Sequence, residues 1–127
     1  MKPETADALE HAKRHLALAR RALEISASIA GREGYLAALT AGRGLTFELL
    51  NKGLKTHKGV KMLIHELVKD GVKIDQRLLA ISEDGFNLKV TADYGDPEDV
   101  SALQAQQTID MAEAFVARVE QILTDRT

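Results

Sequence analysis

The sequence predicts an all-α protein, an up-and-down four-helix bundle with one additional short helix, five helices in all. Apolar residues recur at spacings of three and four along most of the chain, and no segment alternates with the period of two that is typical of a strand. Both prolines, Pro3 and Pro97, lie near predicted helix starts, which leaves long helical windows uninterrupted. Because 127 residues suffice for one ordinary core, residues 1–127 are expected to form a single domain.

The first two predicted helices are long. The first covers about residues 4–28 and carries a stripe of leucine and alanine. The second covers about 33–52 and is expected to end at Gly53, a residue suited to a left-handed cap. Its middle is rich in small residues and includes Gly42 and Gly44. Since a helical glycine costs about 1 kcal/mol relative to alanine, we expect another helix to approach closely here, within the bundle or across a dimer.

The remaining helices have clearer end signals. A third helix, about 57–69, has an ideal apolar stripe and ends at Asp70-Gly71. Asp75 is the predicted cap of a fourth helix, in which Asp84-Gly85 marks a kink or an interruption.

The last helix follows the clearest break in the chain, "ADYGDPED" at 92–99. Ser101 and Gln104 have the spacing of a capping box at its start. Its apolar stripe then continues to Leu123.

Composition excludes several classes of protein. A content of 45% hydrophobic and 28% charged residues is typical of a globular domain rather than a disordered chain. The absence of cysteine excludes disulfides and thiolate zinc sites and fits a reducing compartment. No apolar run approaches the ~20 residues that cross a bilayer, and the N-terminus lacks the apolar core of a signal peptide. We therefore expect a cytoplasmic protein without membrane contact.

Binding to nucleic acid would have to use a local patch, because the net charge is −2. The clearest patch surrounds the start of the third helix, where Thr56 is a suitable N-cap. Cations beside the first backbone amides would attract phosphate. The alternative is a solvated connection whose cations only favour solubility. The patch comprises Lys52, Lys55, His57, Lys58 and Lys61.

Arg43 lies mid-helix among small residues, so its guanidinium could reach a ligand or a carboxylate. A structural ion pair with Asp93 or Glu48 is the favoured alternative. On the first helix, His11 and His15 are four residues apart and could share a metal, but solvated histidines are the simpler interpretation. We predict no metal and no cofactor.

Lys89, Asp93 and Tyr94 lie close together near the end of the fourth helix. A lysine, a carboxylate and a phenol could bind a phosphodiester or move a proton, which makes them the candidate catalytic residues. They could equally cap the helix and hold the 92–99 loop.

Three stretches together resemble the HEPN domains: "YLAALTAGRGLTFELL" at 35–50, "LKTHKGVKMLIHELVKDG" at 54–71 and "LKVTADYGDPED" at 88–99. More narrowly, they are similar to small stand-alone prokaryotic HEPN proteins encoded beside a minimal nucleotidyltransferase. The resemblance spans about residues 6–124. It implies a homodimeric helical bundle, associated with RNA or nucleotides and with toxin–antitoxin or defence modules, and a nucleotidyltransferase as its partner protein.

Active HEPN relatives are metal-independent ribonucleases with an arginine followed, after four to six residues, by a histidine. At the corresponding places this chain has Lys89 and Tyr94. A lysine lacks the planar fork of arginine, and a phenol is a poor proton shuttle at neutral pH. The resemblance with these departures favours a binding module over an endoribonuclease.

Three hypotheses follow. The first is a homodimeric module that binds RNA or nucleotide phosphate in a single cationic groove. The second is a ribonuclease toxin that uses Lys89, Asp93 and Tyr94. The third is a structural adaptor that dimerises through the small residues around Gly42. The groove of the first hypothesis would combine Arg43, Lys55, His57, Lys58, Lys61 and Lys89.

Overall fold

The computed structural model describes residues 1–126, and these residues contain helices and no strand. The predicted all-helical fold is therefore confirmed. The elements are α1 (Pro3–Ala22), α2 (Ala27–Leu50), α3 (His57–Lys69), α4 (Gln76–Leu79), α5 (Ile81–Tyr94) and α6 (Ala102–Asp125), with a 3₁₀ turn at Pro97–Asp99.

Most of the predicted caps are confirmed. The Thr56 hydroxyl accepts a hydrogen bond from the Gly59 amide at 3.0 Å, so α3 begins where the sequence predicts. At the start of α6, the Ser101 hydroxyl accepts from the Gln104 amide at 3.0 Å, and the Gln104 side chain accepts from the Ser101 amide at 2.9 Å. This reciprocal pair is the predicted capping box. Asp75 also caps α4, as expected.

The first helix is shorter than predicted. It ends at Ala22, and α2 begins at Ala27 rather than near residue 33. The cause is Ser26, whose extended backbone and side-chain bond to the Ile29 amide at 3.2 Å start a new helix. An N-cap thus interrupts an apolar pattern that is otherwise continuous.

Two further helix boundaries differ from the prediction. Asn51, with φ of 57°, takes the left-handed position at the end of α2 that was expected of Gly53. The fourth predicted helix is interrupted at Ala80, between α4 and α5, and not at Asp84-Gly85. Gly85 lies inside α5, where a Cβ would come within 2.9 Å of the Tyr35 ring. It is a contact residue, not a breaker.

The helix α2 occupies the centre of the fold and packs against α1, α3, α5 and α6. Its glycines allow close approach within the subunit. A Cβ on Gly42 would lie 2.8 Å from Ile64 and 3.0 Å from Val60, both on α3, and a Cβ on Gly44 would lie 3.0 Å from Ala8 on α1. The expectation that Gly42 lies on a dimer face is therefore wrong, because α3 already covers this position.

The core forms where α2 and α6 face the other helices. Its largest fully buried apolar side chains are Leu45, Leu63, Ile109, Val119 and Leu123. Among the described residues 1–126, no helix is both long enough and apolar enough to cross a membrane. Since α3 and α5 both pack on α2 and contact each other, residues from three helices meet along one surface of the molecule.

Candidate functional site

The start of α3 presents two cations that have no ion pair in the part of the chain that the structure describes. Lys55 and Lys58 are both exposed, on either side of the Thr56 cap. Thr56 satisfies the amide of Gly59 only, so other first-turn amides remain available to an anion. Lys61, one turn further on, differs because it is bound to Glu83 of α5. The carboxylate neutralises this third lysine.

His57 is fixed in place by neighbours from two other helices. Its Nδ1 lies 2.7 Å from the hydroxyl of Tyr35 on α2. On α5, the ring of Phe86 stacks on the imidazole, with centroids 4.0 Å apart and planes 14° apart. The rings of Tyr35 and Phe86 are themselves 6.0 Å apart. The three rings join α2, α3 and α5.

Burial determines the protonation of this ring cluster. It raises the pKa of Tyr35 to about 12, so the phenol keeps its proton. It also lowers the pKa of His57, and nearby Lys61 lowers that pKa further, against the opposite effect of Glu83. Nδ1 of the neutral imidazole can then accept a hydrogen bond from the Tyr35 hydroxyl, while Nε2 carries the ring proton.

No room exists under these rings for a nucleotide. The cavity lined by Tyr35, His57 and Lys61 has a volume of about 20 Å³, whereas ligand pockets measure roughly 300–1,000 Å³. A nucleotide could therefore reach the start of α3 only from the outer surface, where Lys55 and Lys58 are exposed.

Asp93 is the centre of the candidate catalytic residues. One of its carboxylate oxygens lies 2.8 Å from Lys89 Nζ, and the other lies 2.9 Å from Arg32 Nε. The Lys89 hydrogen bond, with help from Arg32, lowers the pKa of Asp93. Tyr94 is 82% exposed, and its ring centroid is 6.0 Å from Lys89 Nζ. Lys89 and Asp93 thus meet as predicted, but Arg32 of α2 joins them.

This ion-pair network continues into the protein through a buried carboxylate. Arg32 contacts the neighbouring Glu33, with Nη1 3.3 Å from Oε1. The other oxygen of Glu33 lies 2.6 Å from Nδ1 of His15 on α1. Glu33 is only 8% exposed, so His15 has a structural partner and is not the solvated residue that the sequence suggested. No group of three or more metal-ligating side chains occurs within residues 1–126.

Arg43 lines a groove that contains none of the other predicted binding residues. The groove has a volume of about 340 Å³, lies between α1 and α2 and is also lined by Glu4, Asp7 and His11. The Nε of Arg43 is buried and, in the described chain, has no hydrogen-bond partner. Within residues 1–126, Arg43 forms neither of its expected ion pairs: Asp93 is bound by Arg32 and Lys89, and Glu48 accepts from the amide of Lys2. The groove that would combine Arg43 with Lys58 and Lys89 stays a prediction.

Sequence reasoning missed Arg32, Glu33 and Phe86 as neighbours of the site. Arg32 and Asp93 are 61 residues apart, and no local spacing connects them. One signal was present: Arg32 and Tyr35 are three residues apart, and such residues share a face if α2 begins before residue 32. The late start predicted for this helix concealed that relationship.

Comparison with known proteins identifies the family of this chain. A model of the HEPN domain family matches residues 5–122. The match includes all the helices, apart from the first two residues of α1 and the last three of α6. No curated protein matches the chain. Since the matched region covers nearly the whole sequence, the chain belongs to the HEPN domain family.

Proposed function

We propose that this HEPN domain is a homodimeric module that binds RNA or nucleotide phosphate at the entrance of α3. The supporting observation is a pair of exposed lysines, Lys55 and Lys58, beside the capped N-terminus of a helix of 13 residues. Neither lysine forms an ion pair within residues 1–126. Helix dipole and lysine charges there act on an anion in the same direction. His57 fixes this helix end to α2 and α5, so the cations start from a rigid position.

The proposal predicts binding that weakens with salt, because phosphate contacts release counterions. The test variant is Lys55→Glu/Lys58→Glu, measured by fluorescence anisotropy with a labelled single-stranded RNA. Neither lysine is in an ion pair within the described residues, so the fold should be retained. We expect RNA binding to be lost.

The matched control is Arg21→Glu/Lys73→Glu. These two residues are also exposed, and the substitution changes the net charge by the same amount. It should leave most of the affinity intact. Equal loss in both variants, or unchanged binding by Lys55→Glu/Lys58→Glu, would show that the α3 entrance is not the binding site.

Assembly is the second part of the proposal. Ile25 is 86% exposed and Ile29 is 51% exposed, both near the turn between α1 and α2. Large apolar side chains exposed next to each other favour a protein contact, and we assign the homodimer to this end of the bundle. Ile25→Ser/Ile29→Ser should give monomers in light scattering, whereas Met62→Ser on α3 should not. A dimer in both variants would contradict the assignment.

A nucleotidyltransferase encoded beside this chain, in a toxin–antitoxin or related cytoplasmic system, is the partner that we propose. Co-expression with that enzyme followed by co-purification tests the association. A neighbouring gene of another kind, or separate elution of the two proteins, would contradict it.

The alternative, a metal-independent ribonuclease that uses Lys89, Asp93 and Tyr94, has less support. Two cations keep Asp93 ionised, with a lowered pKa, which makes it a weak base and no acid. Tyr94 has an exposed phenol. Incubation of the protein with tRNA and mRNA in EDTA should leave both intact. Cleavage that disappears in Lys89→Ala would instead support the enzyme.

A further inference from the structure

Asp93 bridges two cations that come from different helices. One carboxylate oxygen accepts from Arg32 Nε on α2 at 2.9 Å, and the other lies 2.8 Å from Lys89 Nζ on α5. The two cations therefore point at two oxygens of a single anionic group. A guanidinium and an ammonium arranged in this way are suited to an oxyanion, and both groups bind phosphate in other proteins.

The position of Asp93 in α5 disfavours a negative charge. It lies in the last turn of α5, which ends at Tyr94 and is followed by Gly95. A negative charge at this end is unfavourable, because the C-terminus of a helix carries partial negative charge itself. What retains the carboxylate is its contact with Arg32 and Lys89. The helix ends one residue after Asp93, at Tyr94, and Asp93 is exposed, so solvent is accessible to its side chain.

The two cations are held independently of Asp93. Arg32 also contacts Glu33, which is anchored by His15. Lys89 lies 6.0 Å from the centroid of the Tyr94 ring, a second interaction for its ammonium. Arg32 and Lys89 thus each have a second partner besides Asp93.

We propose that Arg32 and Lys89 form an oxyanion site that takes a phosphate group, and that Asp93 occupies this site until a phosphate displaces it. Asp93 is then an internal competitor of the ligand. The inference rests on the proposed function in taking an RNA or nucleotide phosphate as the natural ligand. It adds a second phosphate position, between α2 and α5, to the one at the entrance of α3.

Removal of the competitor should strengthen binding, which is the reverse of what a phosphate-binding or catalytic role of Asp93 predicts. The probe is inorganic pyrophosphate, followed by isothermal titration calorimetry at low salt. We expect Asp93→Asn and Asp93→Ala to bind about tenfold more tightly than the unmodified chain, a difference of about 1.4 kcal/mol. Adding Arg32→Gln or Lys89→Gln to Asp93→Asn should abolish this gain.

Asp84→Asn is the matched control, since it removes the same charge from the other end of α5, where Asp84 is exposed. It should leave the pyrophosphate affinity unchanged. Equal affinity of Asp93→Asn and the unmodified chain, an equal gain in Asp84→Asn, or a gain that survives both second substitutions would overturn the proposal. Circular dichroism of each variant confirms that the helices are retained.

The RNA measurements separate this inference from the proposed function. If Lys55→Glu/Lys58→Glu still binds RNA while Asp93→Asn gains pyrophosphate affinity, the α3 entrance is rejected and the oxyanion site is supported. If the lysine variant loses RNA while Asp93→Asn gains nothing, the proposed function is supported and the oxyanion site is rejected.

Discussion

The hydroxyl of Tyr35 lies 2.7 Å from Nδ1 of His57, and this hydrogen bond joins the central helix α2 to the start of α3. Tyr35 is 3% exposed, so its hydroxyl cannot exchange this partner for bulk water. The contact sets the position of the helix end where Lys55 and Lys58 are found. Stability and the proposed binding are therefore connected at this point.

Tyr35→Phe should lower the free energy of unfolding by about 1 kcal/mol, the usual net value of one such hydrogen bond. The ring and its packing against Gly85 and Phe86 are retained, so only the hydroxyl is lost. Urea denaturation measures the change. Tyr94→Phe is the control, because the exposed Tyr94 should show no effect. Equal stability of Tyr35→Phe and the unmodified chain would contradict the assigned bond.

Acidification should destabilise the fold through His57. Burial holds the pKa of folded His57 below the ordinary value of 6.5. Below about pH 6.5 the unfolded chain therefore binds more protons than the folded chain, and the free energy of unfolding decreases as the pH is lowered. Measured between pH 7.5 and 5.5, the decrease should be smaller in His57→Gln than in the unmodified chain. Identical slopes would show that His57 titrates alike in both states.

Gly42→Leu should destabilise the subunit and should not change its oligomeric state. A Cβ here already comes within 2.8 Å of Ile64 and 3.0 Å of Val60. The larger side chain forces α3 away from α2, at a cost of about 1–3 kcal/mol. Thermal unfolding and light scattering test the two statements. Gly53→Ala, where the nearest atom is 3.4 Å away, should be nearly neutral. A monomeric but stable Gly42→Leu would restore the dimer-face hypothesis.

Arg43→Met is expected to raise the free energy of unfolding by up to about 1 kcal/mol, since it removes a buried donor that has no acceptor within residues 1–126. Arg32→Met provides the contrast. It removes the partner of Asp93 and a neighbour of the buried Glu33, so it should be less stable than the unmodified chain. Urea denaturation of both variants ranks them. The opposite order would contradict the pairing described for these arginines.

The fold class followed from the periodicity of the apolar residues, and several helix ends followed from single capping residues such as Thr56 and Ser101. Those signals are local, so the sequence displays them directly. The end of α1 was misplaced because Ser26 interrupts an apolar stripe that looks continuous. The break at Ala80 was misplaced because Gly85 was interpreted from its backbone freedom, whereas its position is set by the ring of Tyr35.

The site was less predictable than the fold. The residues at the entrance of α3 are neighbours in sequence and could be grouped by inspection. The ion pair between Arg32 and Asp93 depends on how α2 and α5 are packed, and the burial of Glu33 depends on α1 as well. Arg43 illustrates the same limit, because only the packing of α1 on α2 shows that its surroundings include Glu4 and Asp7.

The central position of α2 has a consequence for the motions of the molecule. Neighbouring helices cover this helix on several sides, so local fraying cannot expose its middle turns to solvent. Their amide hydrogens should exchange with deuterium only when the whole domain opens, and should report the global stability. The last turn of α5 should exchange much sooner, which would make it the segment most easily remodelled when a ligand arrives.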